Sequence, residues 1–162
     1  EEMSKYELWY LIGWPYQTTI AMARLVFSGI FENFPDLKIL THHCGAMIPM
    51  LEGRIANGLK MYGTRTAMEL REKLTKTKLK GNPIDSFKKF YVDTATCNSS
   101  QAIQCGLEFY GEDHVLFATD MPFDPTGGAY IKGGIDAIES LNLSPLVKTK
   151  IYKENACSFF DL

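Results

Sequence analysis

Three short apolar runs, each ending in polar residues and each separated from the next by a helix-type pattern, restrict the fold of this chain more than any other feature. The first is Leu37 to His43, the second Phe87 to Thr94 with FYVDT at its centre, and the third His114 to Thr119. Brief apolar runs bounded by turn residues read as buried strands. Strands that alternate with helices imply a parallel sheet joined by right-handed crossovers, the α/β class. With 162 residues and 46% apolar side chains, there is material for one packed core.

The intervening segments carry the helical period. Pro15 disfavours helix at Trp14, so the spacing predicts a first long helix starting just beyond it, with Thr18 or Thr19 as N-cap. Met22, Ala23, Val26, Phe27, Ile30, Phe31 and Phe34 form its apolar stripe, and Pro35-Asp36 closes it. Ala46 to Tyr62 reads as a second helix, with Pro49 in its first turn. Thr64 to Lys80 reads as a lysine-rich helical insertion with a solvated face. Gly81-Asn82-Pro83 is a break. A helix begins at Ser99 or Ser100 and ends near Tyr110, another spans about Tyr130 to Leu141, and a last one about Pro145 to Phe159. Gly127-Gly128 reads as a flexible segment between strand and helix, lacking the spacing of a phosphate loop.

Composition excludes several classes. A net charge of −2 gives no electrostatic footprint for nucleic acid or an anionic membrane. The longest apolar runs fall far short of the about 20 residues that span a bilayer. The four cysteines, Cys44, Cys97, Cys105 and Cys157, contain no Cys-x-x-Cys pair, which fits reduced thiols in a cytoplasmic setting.

Function is concentrated at two strand ends. PDLKILTHHCGAMIPMLEGRI, from Pro35 to Ile55, closes its strand on His42 and His43 and turns on Gly45. VLFATDMPFD, from Val115 to Asp124, closes its strand on Asp120. Strand periodicity puts His43 on one face with Thr41 and Ile39, and His42 on the other; Asp120 shares a face with Ala118 and Leu116. An aspartate at the end of a buried strand must be paired, hydrogen-bonded or bound to a metal. His43 and Asp120 as neighbours could be a metal site, an acid–base pair or a structural hydrogen bond. Asp93 is a candidate for orienting a neighbour at the same end. Cys44 borders the site with no obvious base beyond His43, and His114 sits at the amino end of its strand, the end associated with stability rather than catalysis.

These stretches, taken in order with Tyr91-Val92-Asp93 and the Glu154-Asn155-Ala156 tail, resemble the amidohydrolase superfamily. They are most similar to its branch of metal-dependent decarboxylases, which includes aminocarboxymuconate-semialdehyde decarboxylase and γ-resorcylate decarboxylase. The resemblance covers nearly the whole chain outside residues 64–80. It implies the carboxyl-terminal part of a (β/α)8 barrel, about strands six to eight, forming a single incomplete domain over residues 1–162. It also implies that His43 is the catalytic acid–base residue, since Gly45, Pro49 and Arg54 follow it without a gap. Asp120 matches a metal ligand able to relay a proton, and Arg54 matches a residue that binds substrate carboxylate across a dimer interface. His42 goes to the background, packed against a helix.

The implied activity is non-oxidative decarboxylation of a small carboxylated or aromatic substrate, with a divalent metal: zinc first, manganese or magnesium as alternatives. Hydrolysis by the same residues is the alternative within enzymes, and an inactive interaction module is the alternative outside them. A whole barrel takes about 250 residues. The family's His-x-His on its first strand and its later lone histidine have no counterpart here, so most of the metal shell is missing. The start on Glu1-Glu2 without methionine leads to the expectation of a longer parent protein, with an amino-terminal half or a second copy covering the open edges.

Overall fold

The computed structural model describes residues 5–162. Three parallel strands, β1 (Leu40–Thr41), β2 (Tyr91–Asp93) and β3 (Val115–Leu116), lie side by side in chain order. Leu40 pairs with Tyr91 and Thr41 with Val92; Val92 pairs with Val115 and Asp93 with Leu116. The strands are much shorter than the apolar runs that announce them. The β2–β3 pairing is extended by a side chain: the Thr94 hydroxyl donates to the Ala118 carbonyl and accepts from the Ala118 N–H, both at 3.0 Å.

Helices cover the sheet. Their order is α1 (Trp14–Phe27), α2 (Ile30–Asn33), α3 (Glu52–Gly58), α4 (Pro83–Phe87), α5 (Ser100–Tyr110), α6 (Ala129–Glu139), α7 (Pro145–Thr149) and α8 (Asn155–Phe160). The core is built from Val92 and Val115 of the sheet against Phe87, Phe90, Ile103, Ile138 and Ile151, all with no exposed surface. At about 25 cal/mol per Å² of apolar area, such side chains supply most of the drive to fold.

Several expectations are corrected. α1 does not wait for a cap at Thr18 or Thr19. It starts at Trp14, continues a π-helical turn over Trp9–Gly13, and holds Pro15 in its first turn, where a missing N–H leaves no bond unmade. Thr19 is instead a buried pin: its hydroxyl donates to the Pro15 carbonyl at 2.8 Å and accepts from the Met47 N–H at 3.1 Å. The helix also stops early, at Phe27, because Gly29 takes the left-handed conformation (φ 74°) and restarts the chain as α2.

Ala46 to Tyr62 is a broken helix, with 3-10 turns at Pro49–Leu51 and Leu59–Met61 flanking α3. The expected helix over 64–80 reduces to a 3-10 stretch at Met68–Lys73. Beyond it the β-branched Thr75 and Thr77 favour extended chain, and Lys78 N–H and the Thr77 hydroxyl both donate to the Phe27 carbonyl. The Asn82-Pro83 break opens α4: the Asn82 side chain accepts from Ile84 N–H at 3.2 Å and Pro83 occupies the first turn. Phe87 therefore ends a helix rather than starting a strand.

Ser99 caps α5 through Ala102 N–H, at the expected place. The last helix is split by a π-helical turn at Lys150–Glu154. There the Ile151 carbonyl accepts from Phe117 N–H at 2.9 Å, tying the helix to the continuation of β3.

Candidate active site

The carboxyl ends of the strands converge on one cavity of about 500 Å³, where His43 and Asp120 meet Trp9, Trp14, Phe123 and Tyr130. Neither His43 nor Asp120 lies in a strand. β1 ends at Thr41, and the chain then takes four successive left-handed residues: His43 (φ 56°), Cys44 (51°), Gly45 (71°) and Ala46 (56°). Strand alternation therefore stops at His42, and the two imidazoles stand perpendicular, with ring centroids 4.3 Å apart.

Left-handed backbone at non-glycine residues costs free energy and persists only where the surroundings impose it. Here the clamp is Asp93. One carboxylate oxygen accepts from His43 N–H at 2.8 Å and from Ala95 N–H at 3.0 Å. Burial pushes the Asp93 carboxyl above its ordinary value, and the two backbone donors oppose that rise. Gly45 packs so closely on Tyr110 that a Cβ there would lie 2.0 Å from the phenol oxygen. Cys44 is buried beneath the turn, and desolvation raises its thiol far from the reactive range.

His43 Nδ1 contacts the Ala95 carbonyl. A carbonyl only accepts, so Nδ1 carries the proton and Nε2 keeps its lone pair. Asp120 also adopts a left-handed backbone (φ 64°), and its carbonyl accepts from Phe123 N–H. Its half-buried carboxylate has no hydrogen-bond donor or cation among the described residues. Four residues on, Asp124 is the opposite case. Its carboxylate accepts from Thr126 N–H, the Thr126 hydroxyl, Gly128 N–H and Tyr130 N–H, and these bonds lower its pKa to about 2. The glycine pair expected to be a loose segment is thus tied down at the start of α6.

His42 lies outside the cavity lining and contacts Thr18 of α1, Oγ1 to Nε2 2.6 Å. Desolvation, then the neighbouring His43, lowers its pKa. His114 is at the far end of the sheet, its Nδ1 2.9 Å from the Phe90 carbonyl. Arg54, on α3, is exposed and opens on a separate groove between α1, α3 and residues 75–78, so this chain does not bring it to His43 and Asp120. Sequence reasoning missed the aromatic wall. Trp9 and Trp14, in edge-to-face contact at 5.1 Å, fall in a stretch without strand or helix periodicity, and Tyr130 has no pattern that marks it.

Among the described residues no three His, Cys, Asp or Glu side chains form a metal cluster. Asp120 nonetheless suits one ligand of a divalent ion: a hard oxygen donor, free of protein partners, beside an imidazole nitrogen with a free lone pair. Also among the described residues, no helix is long and apolar enough to cross a membrane.

The family model for amidohydrolases matches residues 10–162, and the chain belongs to that family. It is 29% identical over its whole length to 2-amino-3-carboxymuconate-6-semialdehyde decarboxylase of Dictyostelium discoideum, of which it spans 42%. It is 28% identical to γ-resorcylate decarboxylase of a Polaromonas strain, over 94% of this chain and 44% of that one. Among solved structures, 5-carboxyvanillate decarboxylase of Sphingomonas paucimobilis superposes with a TM-score of 0.72 at 27% identity, over 93% of this chain and 41% of that one. A dihydroxybenzoic acid decarboxylase of Polaromonas, solved with manganese and the inhibitor 2-nitroresorcinol, gives 0.72 at 25% identity, over 99% and 47%. The chain thus spans less than half the length of these relatives. The metal seen in that relative is manganese rather than the zinc placed first from sequence.

Proposed function

We propose that this chain carries the proton-transfer side of a metal-dependent, non-oxidative decarboxylase acting on a small aromatic carboxylate, the remaining ligands coming from sequence outside these residues. One observation carries the reading: Asp120, a half-buried carboxylate without a hydrogen-bond partner among the described residues, shares an aromatic-walled cavity with His43, whose Nδ1 is turned to the Ala95 carbonyl. The strands correspond to about the sixth to eighth of the barrel. In this reading Asp120 holds a divalent ion, which when bound draws charge from substrate oxygens. His43 moves a proton at Nε2, the position its Nδ1 bond to Ala95 leaves open. Nε2 first takes that proton from an acidic hydroxyl or carboxyl group of the substrate; as the carboxylate leaves as CO2, the electron pair of the broken C–C bond stays on the ring carbon and takes the proton from Nε2. Trp9 and Trp14 exclude water from the ring faces. Arg54 points away from this cavity, so its carboxylate-binding role requires the cavity of a second copy, and the active species is then a dimer in which Arg54 clamps the leaving group.

The test is CO2 release from hydroxylated benzoates by the full-length protein, before and after chelation and on restoring manganese or zinc. Metal-dependent release that falls about 10²- to 10⁴-fold in His43→Ala supports the reading. Hydrolysis of lactones or esters without CO2 release replaces it by the hydrolase alternative. The lack of a three-residue metal cluster among the described residues favours a second reading, an inactive interaction module. That reading predicts no bound metal in the purified full-length protein.

A further inference from the structure

The cavity wall contains a polar group that the decarboxylase reading leaves unused. Besides His43 and Asp120, the side chains with hydrogen-bonding groups are Tyr10, Thr96, Cys97, Tyr130 and the donor-only indoles of Trp9 and Trp14. Thr96 is occupied, its hydroxyl donating to the Ser99 carbonyl at 3.2 Å. Tyr10 is engaged with Glu7. The Tyr130 hydroxyl has no oxygen or nitrogen partner among the described residues; its polar neighbour is the Cys97 thiol, a weak acceptor.

The placement of Tyr130 is built from both sides. Asp124 fixes its backbone, accepting from Tyr130 N–H at 2.9 Å. Tyr130 and Gly133 are three residues apart on α6 and share a face. On that face Gly133 sits against Asn98 so tightly that a Cβ would lie 2.4 Å from the amide. Cys97 and Asn98 are themselves successive left-handed residues, φ 49° and 67°. One helix face therefore docks on one turn, Gly133 against Asn98 and Tyr130 against Cys97. The Cys97 thiol, and then burial, raise the Tyr130 pKa; a phenol is a donor at neutral pH in any case.

We infer that Tyr130, held beside Cys97, reads a hydrogen-bonding ring substituent on the aromatic acid bound in this cavity and selects among ring isomers. The inference rests on the aromatic-carboxylate reading above. An oxygen on the ligand is a better acceptor than the thiol, so the hydroxyl exchanges one for the other on binding. A hydroxyl or methoxy group in reach gains a bond, and an isomer lacking it leaves the phenol on its weak partner.

The experiment compares 2-hydroxybenzoate with its dihydroxy isomers on the intact protein and on Tyr130→Phe. Binding is read by calorimetry, turnover by CO2 release, and folding by near-ultraviolet circular dichroism. The wild-type protein should bind one dihydroxy isomer about tenfold tighter than 2-hydroxybenzoate, the worth of one neutral hydrogen bond. Tyr130→Phe should erase that preference, read as an about tenfold rise in Kd and KM for the preferred isomer relative to 2-hydroxybenzoate. Cys97→Ser, which offers the phenol an oxygen acceptor in place of the weak thiol, should shrink the preference, because the exchange on binding then gains little. A variant that weakens all isomers alike, a preference that survives Tyr130→Phe, or a wild-type protein that binds no isomer selectively would overturn the inference. Selective binding lost in Tyr130→Phe without CO2 release from any isomer would sink the decarboxylase reading and leave this one standing.

Discussion

The two ends of the sheet use the same residue types to opposite effect. At the amino ends polar groups are satisfied. His114 stacks on Tyr91 with centroids 4.5 Å apart and an interplanar angle of 3°, and its Nδ1 is bonded to Phe90. Asn155, 4% exposed, donates to the Glu112 and Val115 carbonyls, both at 2.7 Å. At the carboxyl ends the backbone takes positive φ over His43 to Ala46, and the Asp120 carboxylate has no hydrogen-bond donor or ion-pair partner among the described residues. Unmade bonds and imposed conformations are costs that folding alone would remove. The run of consecutive positive-φ residues lies at the end that opens on the aromatic cavity, which distinguishes that end from the well-satisfied amino ends.

The sharpest way to break this contrast is at Asp120. Asp120→Asn should lower turnover of the full-length protein by about 10³-fold, a value typical of acid–base or ligand groups. Stability should stay within about 0.5 kcal/mol, since no internal bond is lost. Full activity combined with a large stability loss would make Asp120 structural and erase the distinction between the ends. The next effect is on the imposed turn. Gly45→Ala adds a Cβ 2.0 Å from the Tyr110 hydroxyl at a φ of 71°. Overpacking and the left-handed cost together should destabilise by about 3 kcal/mol, read as a lower urea midpoint. An unchanged midpoint would show that the turn adapts and that its conformation is not imposed by Tyr110.

The α/β alternation and the placement of His43 and Asp120 at one cavity were legible in the sequence, because both follow from apolar runs and what ends them. The sequence did not reveal where regular structure stops. Leu37 to His43 reads as one strand, yet only Leu40–Thr41 pairs in β1, because pairing depends on the neighbour and not on the run. Pro15 and Pro83 were read as breaks, although proline is equally at home in a first helical turn, and only the surrounding packing decides between the two. The aromatic wall was illegible for another reason: Trp9, Trp14 and Tyr130 come from separate segments and meet only in three dimensions.

At the amino ends the expected effects are smaller and confined to stability. His114→Phe keeps the ring stack on Tyr91 and deletes the bond to Phe90. It should cost about 1 kcal/mol and leave turnover untouched. A change in turnover would show that the two ends are coupled through β3, and the division between them would then need revision.

The smallest effect comes from the contrast between the two aspartates that follow β3, and it appears as a pH dependence. The Asp120 carboxylate has no hydrogen-bond partner among the described residues, whereas that of Asp124 accepts four bonds and its pKa falls to about 2. A carboxylate depressed in the folded state stabilises above its unfolded value, near about 3.9, and that contribution is lost as pH falls through the folded value. Between pH about 4 and 2 the wild-type loop over 124–130 should therefore loosen progressively, read as faster cleavage by an acid-active protease. Asp124→Asn does not titrate, so its cleavage rate there should be higher at the outset and nearly flat across that window. Parallel pH profiles for the two proteins would mean that other carboxylates release the loop. Tyr130 would then owe its position to the docking of Gly133 on Asn98 rather than to Asp124.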